Sequence, residues 1–421
     1  MLRFAPSPTG DISLEDLRIA LLNYLAAKQH NEDIIVRIED IQKEKNVEGK
    51  DQEILDILAL FGIEYSHVVY QSQNVRFHSA MALDLLHRKK AFSCFCSDEW
   101  LDKKRQEAKD ANTTYHYDDA CRNLPPELVI DNTAPFSVRI VRPEKPIVID
   151  DTIKGDIVFQ PDTVDSFVIM NRDKTPTATF ASAVDDMLSD ISFIIRSDKH
   201  LDQTPKQEHI RKQLGYDKTI RYAHIPSFAN DVSVTSLLEQ GYLPEAISNY
   251  LISIGNNVPQ KIFTLNEAKE WFQIDMLTNS PIHFDIDILN TINKEHLKLM
   301  DAKELSRYVG FADAEIGELA RLYVDEICTT KELKKQIAPI FESRDIPEDY
   351  KEATSKIIAA LQNAPHFEEY SAFEEYIMQK TDLSKENFLQ PLRILLTNRV
   401  DGPDIEKIYK YLKNYIREII K

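Results

Sequence analysis

The opening stretch RFAPSPTGDISLEDLRIALLNYLAAKQ, from Arg3, constrains this chain more than any other feature. It reads as a short strand, a turn of prolines and glycine, and a long helix with apolar residues at helical spacing. Such a unit carries a ready anion site, because the first N–H groups of a helix are unpaired and its N-terminus is partly positive. Yet this helix starts on Ser13-Leu14-Glu15-Asp16, with two carboxylates where an anion would sit. Ser13 and Asp16 also fit S-x-x-D, close to a capping box, in which the chain's own side chains take the donors a phosphate would use. Two unit charges ~4 Å apart interact by about 4 kcal/mol at a surface-like dielectric, so Glu15 and Asp16 facing a triphosphate would oppose it. The plainer reading of SLED is an ordinary helix start.

Beyond this unit, residues 1–70 keep alternating strand and helix, which predicts βαβ units and a parallel sheet. Residues 71–185 change character: AFSCFCS, a charged helix DEWLDKKRQEAKDA, then the strand-like runs FSVRIVRP, KPIVIDD, GDIVFQ and SFVIMNRD. Helix–strand text resumes with FASAVDDML and ISFIIRSD, so a parallel-sheet domain interrupted by an insert is expected. From Val232 onward the periodicity is almost wholly helical, punctuated by Pro244, Pro347, Pro391 and Pro403.

A net charge of −18 argues against non-specific DNA binding, but a local basic patch is compatible with an RNA partner. There is no GxGxxG and no GxxxxGK[ST] motif. No apolar run suits a membrane span and no signal peptide is evident, so a cytoplasmic protein is expected. Four cysteines are too few for a disulfide framework. Three of them fall in the pattern C-x-C-x20-Y-x3-C: Cys94, Cys96, Tyr117 and Cys121. Three thiolates and one oxygen or nitrogen donor make a zinc-like set. Tyr117 is the better fourth ligand and His116 a weaker one, while Asn123 does not qualify. Three buried cysteines with Tyr117 in the core is the alternative.

Several longer strings now carry a resemblance. RFAPSPTG before a helix, RIED at Arg37–Asp40, PKQ at Pro205–Gln207, GYLPEAISNYLISIGN from Gly241, SPIHFD from Ser280, FLQPLRILLT from Phe388 and Gly402-Pro403 resemble glutamyl-tRNA synthetases, most closely the compact bacterial ones. The resemblance runs essentially end to end. It implies an α/β Rossmann-like class I core in two halves, 1–70 and 186–228. Between them lies an inserted α+β acceptor-stem-binding domain, 71–185, that bears the zinc pattern. An all-α C-terminal half follows, with a stem-contact region, 229–300, and an anticodon-binding domain, 301–421. The family's reaction joins glutamate to ATP as an adenylate, with magnesium on the nucleotide, and passes it to tRNA. Arg3, Ser7, Glu39 and Arg196 match glutamate-holding positions. An alternative is that Arg3 and Arg196 pair with core carboxylates. Arg393, Lys385 and Arg399 are candidates for tRNA of Glu or Gln type. A monomer is expected.

The same resemblance exposes departures. The family's His-Ile-Gly-His signature reads Ser13, Leu14, Glu15 and Asp16, with no imidazole and with Glu15 in place of the glycine. Its Lys-Met-Ser-Lys loop has no counterpart in HIPSFANDVSVTSLLEQGYLP, which holds no lysine between His224 and Pro244. Losing one such electrostatic contact typically costs roughly 10²–10³ in rate. A glutamate-pocket tyrosine is replaced by Ala178, and Arg-Gly-Glu-Asp-His reads Arg196-Ser197-Asp198-Lys199-His200. The expectation is a paralogue that folds like the enzyme, binds tRNA, and is catalytically impaired or inactive. The alternatives are an active ligase with a degenerate ATP site and a regulatory or scaffold protein without an RNA ligand.

Overall fold

The computed structural model describes residues 1–230 and 232–420. It divides into two compact units: Met1–Val234 with Leu251–Pro259 and Phe263–Phe284, and Thr235–Tyr250 with Gln260–Ile262 and Asp285–Lys421.

Ten strands belong to the first unit: β1 (Leu2–Phe4), β2 (Ile34–Ile38), β3 (Val68–Tyr70), β4 (Ala91–Cys94), β5 (Ser137–Ile140), β6 (Ile147–Asp151), β7 (Gly155–Phe159), β8 (Val168–Met170), β9 (Phe193–Ser197) and β10 (Arg221–Ile225). Seven form the central sheet in the order β3-β2-β1-β9-β10-β6-β7, parallel except for the β6–β7 hairpin. Every residue of β2 and the whole of β1 is buried, which is why they read as continuous apolar text rather than alternation. Helix α1 (Leu14–His30) follows β1 and is buried on more than one side. It stops at Asn31, held in the left-handed conformation at φ 52.

From β1 the strand order runs outward to β2 and β3 on one side, and to β9 and β10 on the other. This is a topological switch point, and in open α/β sheets the crevice at the carboxyl ends of the strands there is where ligands bind. The segments leaving β1, β9 and β10 line that crevice.

The strands β4-β5-β8 form a separate antiparallel sheet. It packs through Val138, Ile140, Phe167 and Ile169 with Phe180, Val184 and Ile210. Residues 147–159 fall within the span read from the sequence as insert, but β6 lies beside β10, with Asp151 opposite Tyr222, and the hairpin extends the central sheet. Alternating text announces a strand without saying which sheet receives it.

The second unit is helical, including Ile286–Leu299, Ala302–Tyr308, Ala314–Arg321, Thr330–Ile337, Lys351–Gln362, Tyr370–Thr381, Lys385–Thr397 and Ile405–Leu412. Gly317 is required where two of these cross, since a Cβ there would lie 1.7 Å from the Ala302 carbonyl oxygen. Among the described residues no helix is long and apolar enough to cross a membrane.

Candidate active site

Ser13 is the N-cap of α1 and closes a capping box. Its Oγ accepts from the Asp16 amide at 3.1 Å, and its own amide donates to Asp16 Oδ2 at 3.4 Å. The Ser13 hydroxyl also donates to Asp16 Oδ2 at 2.8 Å. The next amide, Leu14 N–H, donates to the Val232 carbonyl at 2.9 Å, and Val234 N–H returns to Ile12 at 3.1 Å. The segment after β10 is thus laid against the start of α1 as a short antiparallel bridge, Ser13 opposite Ser233. Donors that make a helix N-terminus attractive to phosphate are here bonded to the chain itself.

Glu15 departs from the expectation that it faces an incoming anion. Its side chain turns inward, only 6% of the residue remains exposed, and Oε2 accepts from Lys199 Nζ at 2.8 Å and from the Phe228 amide at 3.0 Å. Its charge is paired because β1, β9 and β10 are neighbours, which brings three distant segments to one point.

Arg3 and Arg196 are buried nearby. Arg3 Nε meets Asp186 Oδ1 at 3.3 Å, a carboxylate it shares with Arg37 Nη1 at 2.6 Å. Burial alone would raise the Asp186 pKa, but Arg37, Arg3 and Arg211 together hold it below the usual carboxylate range. Glu39 is half-buried, and its Oε1 accepts from Arg37 Nη2 at 3.1 Å and Ser182 Oγ at 2.7 Å.

Arg196 differs from Arg3 and Arg37. Its donors reach Gln207 Oε1 at 2.9 Å, Thr204 Oγ1 at 2.6 Å and His224 Nε2 at 3.3 Å, with no carboxylate within 4.0 Å among the described residues. Burial without a counter-ion pushes its pKa down to about 10. A buried guanidinium held only by neutral acceptors is suited to an anionic guest, and its planar fork matches a carboxylate. His224 is braced in turn by Asp151, 2.5 Å from Nδ1.

The pKa of His200 is lowered first by partial burial and then by Arg196, and His200 also feels Glu39, Arg3 and Glu15. These side chains therefore surround one locality, whereas Ser7 lies exposed on the loop after β1. Ser182, Thr204, Gln207 and His224 had no role in the sequence stage of the argument; only PKQ, which contains Gln207, marked the neighbourhood.

The class I tRNA synthetase (E and Q) catalytic-domain family model matches residues 1–291. Glutamate–tRNA ligase 2 of Sulfurimonas denitrificans is 58% identical over 432 positions covering all of both chains, and glutamate–tRNA ligase 1 of Nitratiruptor sp. is 45% identical over the same extent. The chain belongs to the glutamyl-tRNA synthetase family. A solved glutamate–tRNA ligase from Elizabethkingia meningosepticum, described as in complex with its amino acid, superposes with a TM-score of 0.83. It shares 21% identity and covers 100% of this chain and 97% of the other, a likeness of fold. The Sulfurimonas alignment has 11 more positions than the 421 residues here, so this synthetase-family chain is the shorter of the two across aligned text.

The synthetase's cysteines converge as their spacing suggested. Cys94 ends β4, Cys96 follows it, and Tyr117 and Cys121 come from the loop beyond helix 98–110. The three sulfur atoms lie within 4.8 Å of one another. The Tyr117 hydroxyl is 3.5 Å from Cys94 Sγ and 3.4 Å from Cys96 Sγ, and it accepts the Cys121 amide at 3.1 Å. Arg139 Nε donates to Cys94 Sγ at 3.3 Å, and its guanidinium lies 3.8 Å over the Tyr117 ring. Burial raises the Cys94 thiol, but Tyr117, the Cys96 amide and Arg139 outweigh it and bring the pKa down to about 7; burial pushes Cys96 up to about 12. Three soft donors and one oxygen facing a common point fit a four-coordinate zinc ion.

The three residues singled out for tRNA are each tied within the second unit. Arg393 Nη1 donates to the Pro403 carbonyl at 2.6 Å, Lys385 pairs with Glu374 at 3.4 Å, and Arg399 with Asp401 at 3.3 Å.

Proposed function

We propose that this chain is a glutamyl-tRNA synthetase paralogue that binds tRNA and glutamate but forms glutamyl-adenylate poorly or not at all. The observation that carries this reading is the capping box at α1, where Ser13, Asp16 and the Val232 carbonyl engage amides that would otherwise receive a triphosphate. The lysine-free text after β10 supports it, since no ammonium from that segment can offset charge on departing pyrophosphate. Glutamate binding is supported by Arg196, a buried cation lacking its own carboxylate, with Arg3 and Glu39 close by. Binding of tRNA rests on family membership over the full chain. Cys94, Cys96, Cys121 and Tyr117 would hold zinc, whose contribution when bound is to cross-link β4 to the loop around residue 120.

The 58% identity to a protein named glutamate–tRNA ligase favours a second reading, an active ligase with a degenerate ATP site. Pyrophosphate exchange with glutamate, ATP–magnesium and tRNA separates the two. The expected rate lies at least about 10²-fold below that of a relative bearing both signatures. Turnover near the relative's rate overturns the proposal.

A further inference from the structure

We propose that Glu15 and Lys199 form a built-in latch that occupies the switch-point crevice in place of a nucleoside. The inference rests on the impaired-adenylation reading and gives that site an autoinhibitory contact. Glu15 stands on the first turn of α1 after β1, Lys199 on the turn after β9, and Phe228 after β10. Their contacts, 2.8 Å from Nζ and 3.0 Å from the amide, tie together the carboxyl ends of three adjacent parallel strands. That is the place where an open α/β sheet receives a ligand. The Glu15 side chain is 8% exposed and the Lys199 side chain 54%, so the carboxylate is sealed in while the lysine stem lies across it towards solvent. A neutral nucleoside entering here would have to displace a buried, doubly bonded carboxylate before meeting the sheet. The latch is separate from the capping box, because Asp16 and Ser13 satisfy each other without Glu15.

Calorimetric titration with adenosine, which carries no phosphate and is blind to repulsion by Asp16, isolates the latch. The native chain is expected to give no binding at millimolar adenosine. The double variant Glu15→Gly, Lys199→Asp removes both arms and is expected to bind at least tenfold more tightly than the native chain. If it does not fold by circular dichroism, Glu15→Ser alone removes the carboxylate and is read the same way. A folded variant as silent as the native chain overturns the latch and leaves the impaired-adenylation reading standing. Micromolar binding of adenosine and ATP–magnesium by the native chain overturns both.

Discussion

His209 and His224 are buried, His296 is half-buried, and in each case burial is the first cause of a lowered pKa. His224 keeps this direction even though Asp151 works against it. In the unfolded chain each imidazole takes its proton near pH 6.5, roughly the ordinary value, while in the folded chain it waits for a lower pH. Below about pH 6.5 the unfolded state therefore binds more protons, and stability is lost as pH falls through this window. The melting temperature should be level from pH 8 to 7 and decline from 6.5 towards 5, as read by calorimetry. His209→Gln can keep the donor to the Val141 carbonyl, 2.7 Å from Nε2, and should make the decline shallower. A native profile flat down to pH 5 contradicts the assignment.

At this same scale the sequence made the positions legible but not the partners. Glu15 and Lys199 are both visible as departures from family text, yet 184 residues separate them and no local rule couples them. Arg3 pairs with Asp186, the alternative weighed from sequence, whereas Arg196 takes neutral partners that only the crossing of β9, β10 and the helix starting at Thr204 could supply.

For elements, α1 was readable from its start to its neighbourhood, because a cap is a local arrangement and S-x-x-D encodes it in four residues. The cysteine site was readable for a related reason: Cys94 and Cys96 are set by one strand end, and Tyr117 and Cys121 by one short loop. The β6–β7 hairpin was not, since its two strands pair locally while their destination depends on β10. The cysteine site also yields a prediction. The purified chain should carry close to one zinc per molecule by elemental analysis. Cys121→Ser should release it and unfold the loop around residue 120 in hydrogen exchange, because metal binding and local folding are coupled. Tyr117→Phe should weaken retention less than Cys121→Ser, since it removes one oxygen donor and leaves three sulfurs. A zinc-free native chain whose 94–121 region is already well protected would return these residues to an ordinary apolar cluster around Cys94, Leu101 and Tyr117.

On the scale of the whole molecule, the charge of −18 makes any tRNA complex depend on local cations and on counterion release. If about four phosphates are neutralised, affinity should drop by about 10² between 50 and 200 mM salt in filter binding with total tRNA. Arg393 was a natural candidate for one of those cations, but its Nη1 holds the Pro403 carbonyl, next to Gly402 at φ 128. That contact ties the end of one helix to the turn before the next, Ile405–Leu412, and Arg393 is only partly exposed. Replacing it by methionine keeps the apolar stem and strips the donor, which should cost about 1–3 kcal/mol of stability in urea unfolding. The slope of log affinity against log salt should be unchanged, because no phosphate contact is removed. A slope shallower by about one phosphate's contribution, with stability intact, would place Arg393 on the RNA instead. The two measurements together decide between a residue that builds the anticodon-side scaffold and one that reads what binds to it.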